Sequence, residues 1–183
     1  MVRLVVLAIA IVVSACGGST ASTNPAGGGV GTSAGATSAG ATLCTALLDL
    51  ADAQINHVGP LASLLSDGLA AGTWGAQSVT DIKAHIDAVG RVAAKHLNEV
   101  ASLKSADLAP VIAAAQKAYS AYGQGALKLD AWAATLPGGS SDTDDFDGGT
   151  NGMAAGQPFL QDALDQIVTL NAAGAVACKV PGS

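Results

Sequence analysis

Aromatic residues make up only 3% of this 183-residue chain and charged residues 12%, and a single glutamate, Glu99, stands among its fourteen carboxylates. So few aromatics leave little with which to wall a large planar ligand such as a porphyrin, and the chain has no C-x-x-C-H for covalent haem attachment. Eight basic residues against fourteen acidic ones, a formal charge of −6, provide no footprint for nucleic acid, whose affinity rests on clustered Lys and Arg. The lone glutamate also argues against a ferritin-like di-metal centre. Such a centre needs inward carboxylates and Glu-x-x-His on two helices, whereas here the order is His96-x-x-Glu99. G-x-S-x-G, a Walker loop, H-E-x-x-H and a dinucleotide fingerprint after a strand are missing as well, so nothing in the sequence argues for an enzyme. The apolar run from Leu4 to Val13 is about half the ~20 residues that span a bilayer as a helix.

What is present is helical periodicity. Half the residues are hydrophobic, many of them alanine, and apolar positions recur in steps of three and four. One stripe reads Ile82, Ile86, Val89, Ala93, His96, Val100, Leu103. The next reads Leu108, Ile112, Ala115, Tyr119, Tyr122, Ala126, Leu129, Ala133, Leu136, and the last Leu160, Leu164, Ile167, Asn171, Gly174, Cys178. The first helix carries two adjacent stripes, one from Cys44 to Leu69 and one from Leu43 to Leu64, and should be buried over a wide face. Gly59-Pro60 interrupts it, which predicts a kink or split between Asn56 and Pro60. Ser78 before Asp81, and Ser105 or Asp107 before Pro110, offer starts for the second and third helices. Pro137-Gly138-Gly139 ends the third, and Pro158 suits the first turn of the fourth. The expected fold is all-α: an up-down four-helix bundle over residues 43–183.

Ahead of the bundle, Arg3, the apolar run and Val13-Ser14-Ala15-Cys16 resemble the signal and lipobox of bacterial lipoproteins, a resemblance confined to residues 1–16. It implies cleavage after residue 15, acylation of the Cys16 thiol, and an exported protein anchored by lipid on the outer face of the cell membrane. Each buried methylene of the acyl chains contributes about 0.8 kcal/mol, and two chains make such anchoring effectively permanent. Residues 16–42 are almost wholly Gly, Ala, Ser and Thr with one proline, Pro25, and read as a flexible tether reaching about 25 to 30 Å. The alternatives of a bare linker and an O-glycosylated stalk stay open.

Exported chains meet oxidising conditions, so Cys44 and Cys178 are expected to form a disulfide. Cys44 begins the first helix and Cys178 ends the last; with four antiparallel helices those ends coincide, whereas with three they lie at opposite poles. The tether then leaves from the disulfide pole, and Trp74, Trp132 and an expected loop over residues 137–156 mark the far pole. Asp142, Asp144, Asp145, Phe146 and Asp147 in that loop suggest a solvated acidic segment or a docking surface for a basic envelope protein, helped by an exposed Trp74 or Phe146. They also resemble half of an EF-hand loop, but with one residue too many before the glycine and no closing glutamate. Either tryptophan is more often a cap on the core than a contact.

Gln54, His57, His96, Tyr119, Tyr122 and Asn171 fall on the seams, and a count inward from the tryptophan pole sets them at one level. They are expected to form a polar layer, either hydrogen-bonded and structural or a ligand site. The ligand reading makes His57 and His96 axial ligands to haem, or ligands to a transition metal. The sequence favours no cofactor over one, and a non-catalytic binding or scaffolding role over carriage.

Overall fold

Proline at position 60 cannot donate a backbone hydrogen bond, and its ring crowds the carbonyl one turn back. The first rod of the fold leaves regular α geometry just ahead of it. In the computed structural model, which describes residues 34–138, 141 and 143–178, helix α1 (Ala34–Ala53) passes into a π turn (Gln54–Val58) and continues as α2 (Gly59–Ala71). The expected break is therefore a widened turn within one continuous rod. Helices α3 (Ala76–Ser102), α4 (Ala109–Ala133) and α5 (Asp144–Ala172) complete an up-down four-helix bundle with no strand among the described residues. Residues 1–33, including the signal, Cys16 and most of the expected tether, lie outside the described residues, as does Asp142.

The stripes bury as their spacing dictates. Ile82, Ile86, Val89, Ala93, His96 and Val100 form the buried face of α3, and the α4 stripe from Leu108 to Leu136 is buried at every position. Alanine supplies much of this interior, and Trp132, Tyr119 and Tyr122 are the largest side chains fully enclosed in it. The wide face of the first rod is only partly covered. Ile55 in the π turn and Leu69 near the end of α2 stand 61% and 46% exposed, although Val58 and Leu65 of the same stripe are buried.

Three boundaries differ from expectation. Helix α1 begins at Ala34, within the stretch assigned to the tether; alanine favours helix, and Gly40 lies close enough to Val176 that an added Cβ would sit 2.7 Å from its side chain. Helix α3 begins at Ala76, two residues before Ser78. The largest difference is α5, which starts at Asp144 and so turns most of the expected 137–156 loop into helix, leaving Pro158 inside it rather than in its first turn.

Two local features stabilise that early start. The Thr143 hydroxyl accepts the backbone N–H of Phe146 at 3.2 Å as an N-cap, and Asp144, Asp145 and Asp147 place negative charge against the positive end of the helix dipole. A third is tertiary. Gly149, Gly152 and Gly156 face α4, where Gly125 stands opposite, and the two helices approach until backbone meets backbone; Gly152 carries no side chain that would separate it from the Gly125 Cα.

At the disulfide pole, Gly174 adopts the left-handed conformation (φ +72°) that ends α5 and turns the chain back, bringing Cys178 onto Cys44 with a Cα–Cα distance of 5.6 Å. Asn171 supports this turn by accepting the Cys178 N–H through Oδ1 at 2.9 Å.

Candidate functional site

The far pole is closed by aromatics that face inward. Trp74, Trp132 and Phe146 are all buried, with Trp132 making edge contacts to Trp74 at 5.3 Å and to Phe146 at 4.8 Å between centroids. Gly68 leaves the space that the Trp74 indole fills, since a Cβ at that position would overlap the ring. The expectation of an exposed Trp74 or Phe146 for docking is thus corrected. Burying three large rings together removes more apolar area from water than any outward arrangement could. What faces solvent at this pole is Asp144, Asp145 and Asp147, on an ordered first helical turn rather than a loop.

The polar residues of the seams do not form one layer. His96, only 2% exposed, lies between two carboxylates, with Nε2 2.7 Å from Asp49 and Nδ1 2.7 Å from Glu99. Carboxylates only accept, so both contacts are hydrogen bonds only when both ring nitrogens carry protons. Lys95 donates to the same Asp49 oxygen at 3.0 Å. Tyr119 packs beside the His96 ring at 5.8 Å and donates its hydroxyl to the Ala46 carbonyl. Burial first, then the charges of Asp49 and Glu99, push the Tyr119 phenol well above its ordinary range, so it remains a donor. Tyr122 lies under Gly156, its hydroxyl buried without a partner among the described residues and raised by burial in the same direction. Asn171 belongs to the disulfide turn instead.

His57 does not meet His96. Its Nδ1 lies 3.1 Å from Nδ1 of His85, with the ring centroids 5.4 Å apart and the planes tilted by 53°. His85 precedes His96 by about 16 Å along α3, so the two expected ligands cannot share an ion or a haem. Asp49, rather than His57, lies opposite His96, about two helical turns from the expected level. Residues roughly equidistant from the turn at Gly72 face one another in an antiparallel pair, and His85 falls within about one turn of the residue so placed opposite His57. This spacing narrows the partner of His57 to within about one turn, and only the register set by packing selects His85. Among the described residues, no group of three or more His, Cys, Asp or Glu side chains is arranged to hold a metal ion.

Two titrations act on stability in separate windows. Burial, then the neighbouring His57, hold the His85 ring below its ordinary value, with Asp81 pulling the other way. The unfolded chain therefore takes up a proton at position 85 first, and stability falls as pH drops through about 6.5 toward the lower folded value. The hydrogen bond from His96, then that from Lys95, hold Asp49 below its ordinary carboxylate value. Its contribution is present above about pH 4 and is lost as pH falls through the folded value. Urea midpoints should accordingly decline between pH 7.5 and 5.5 and again below pH 4. His85→Gln should flatten the first decline and leave the second.

Comparison with known proteins returned no match among protein families, curated proteins or solved structures. Among the described residues, no helix is long and apolar enough to cross a membrane.

Proposed function

We propose that the chain is an exported lipoprotein, anchored on the outer face of the cell membrane through acylated Cys16, whose helical bundle serves a non-catalytic binding or scaffolding role at the pole away from the anchor. One observation supports the orientation above all others. The Cys44–Cys178 bridge ties the first helix to the segment after the last, so both ends of the described bundle lie at one pole. A tether entering there leaves the opposite end of the bundle facing outward. The exposed chemistry at that end is the first turn of α5, where Asp144, Asp145 and Asp147 offer carboxylates on an ordered scaffold. The partner this suits is a basic envelope protein, held by charge complementarity around a rigid helix end.

The anchor is tested by Cys16→Ser, which should move the protein from the membrane fraction to the soluble fraction and abolish labelling by a palmitate analogue. Unchanged fractionation and labelling reject the anchor. The docking surface is tested by Asp144→Asn/Asp145→Asn/Asp147→Asn in cross-linking pull-downs, since deleting the segment would also remove buried Phe146. Partners retained at wild-type yield reject this surface while leaving the anchor standing.

A further inference from the structure

The meeting of His57 and His85 has no structural necessity. Both rings are only partly buried, and neither is required to fill the core. His57 lies within the π turn Gln54–Val58, and one residue more or fewer ahead of it would swing its direction by about 100° around the rod. Two imidazole nitrogens 3.1 Å apart are also the right distance for a different task. With each nitrogen about 2.0 to 2.1 Å from a shared ion, that separation corresponds to an N–metal–N angle of roughly 100°, between square-planar and tetrahedral values.

We propose that His57 and His85 form a two-imidazole binding site for a late first-row transition-metal ion of the Cu(II) class, open on its solvent side. Imidazole suits Cu, Ni and Zn, and for a given nitrogen site affinity among these ions peaks at Cu(II). Binding requires rotation about each Cβ–Cγ bond, from rings tilted by 53°, that turns both Nδ1 lone pairs from one another toward one point. The proton that now bridges the two Nδ1 atoms leaves that position on binding, carried on Nε2 of the same ring. Among the described residues no third protein ligand is poised at the pair, so water or a group from an incoming molecule fills the remaining positions. This makes the site one for capture and exchange rather than a closed structural centre. His96 takes no part, because its two nitrogens face carboxylates on opposite sides of the ring and cannot direct a common ion.

The test is titration of the full chain, in detergent, with Cu(II) alone, followed by calorimetry and electron paramagnetic resonance. The expected result is one equivalent bound with hyperfine coupling from two imidazole nitrogens. His57→Ala and His85→Ala, each verified as folded by circular dichroism, should weaken binding by roughly ten-fold or more. A native spectrum with fewer than two coupled nitrogens overturns the proposal. So does binding that is unchanged in either variant. Because the spectrum is read on the unmutated protein, the result stands even if one variant fails to fold. The site is independent of the anchor and of the acidic pole, and neither Cys16→Ser nor the triple Asp→Asn variant should alter it.

Discussion

Replacing Cys44 and Cys178 together by alanine lowers the unfolding free energy by about 5 kcal/mol, the chain-entropy cost of releasing a loop of this length. The bridge closes 134 residues of sequence, which is nearly the whole bundle. Its effect is large relative to the total, since domains of this size have about 5 to 15 kcal/mol of stability. This core has less than most to set against the loss. Much of its interior is alanine, each burying far less area than a leucine or phenylalanine. Urea denaturation of the oxidised protein and of the double variant, with slopes compared, measures the effect. A loss below about 1 kcal/mol would mean that the open chain already holds its ends together, and the expectation would fail. A steep increase in slope for the variant would locate the effect in a more expanded denatured state.

The second large effect is expected at the seam between α4 and α5. A Cβ added at Gly125 would lie 2.8 Å from the Met153 amide nitrogen and 2.9 Å from the Gly149 carbonyl oxygen, both backbone atoms that cannot rotate away. Gly125→Val must therefore push the two helices apart, costing about 3 kcal/mol, the upper end of the usual range for overpacking. At Gly90 in α3 the same kind of change has the opposite sign. There the added methyl finds only the Ala126 Cβ at 3.6 Å, an ordinary contact. Gly90→Ala should stabilise by roughly 0.5 to 1 kcal/mol through helix propensity and reduced freedom of the unfolded chain. Thermal unfolding of both variants against wild type checks the pair. Equal effects at the two positions would contradict the close-packed seam.

The same seam explains why α5 was hidden in the sequence. Residues 144–157 hold four glycines, and Gly is about 1 kcal/mol worse than Ala in a helix interior, so local propensity points to a loop. Two legible signals pointed the other way: Thr143 as an N-cap and three aspartates in the following turn. They were outweighed because the compensating term, close contact of glycine faces with α4, is invisible until α4 is in place. The inward clustering of the aromatic pole is hidden from the sequence for a related reason. Trp74, Trp132 and Phe146 are far apart in sequence, and only the bundle brings their rings together, leaving the aspartates alone on the surface. Pro60, by contrast, signalled the departure from regular α geometry just ahead of it, since a missing backbone donor acts locally whatever the tertiary context.

From its sequence alone this chain determined four helical rods, the buried stripes of α3 and α4, a departure from regular α geometry before Pro60 and the pairing of Cys44 with Cys178. These follow from period, backbone chemistry and connectivity, which each residue carries with it. The tertiary structure alone decided that α5 begins at Asp144, that the aromatic rings turn inward, and that His57 meets His85 while His96 meets Asp49 and Glu99. Those outcomes depend on helix register and on how closely two backbones can approach, and both are set only when the rods are packed against one another.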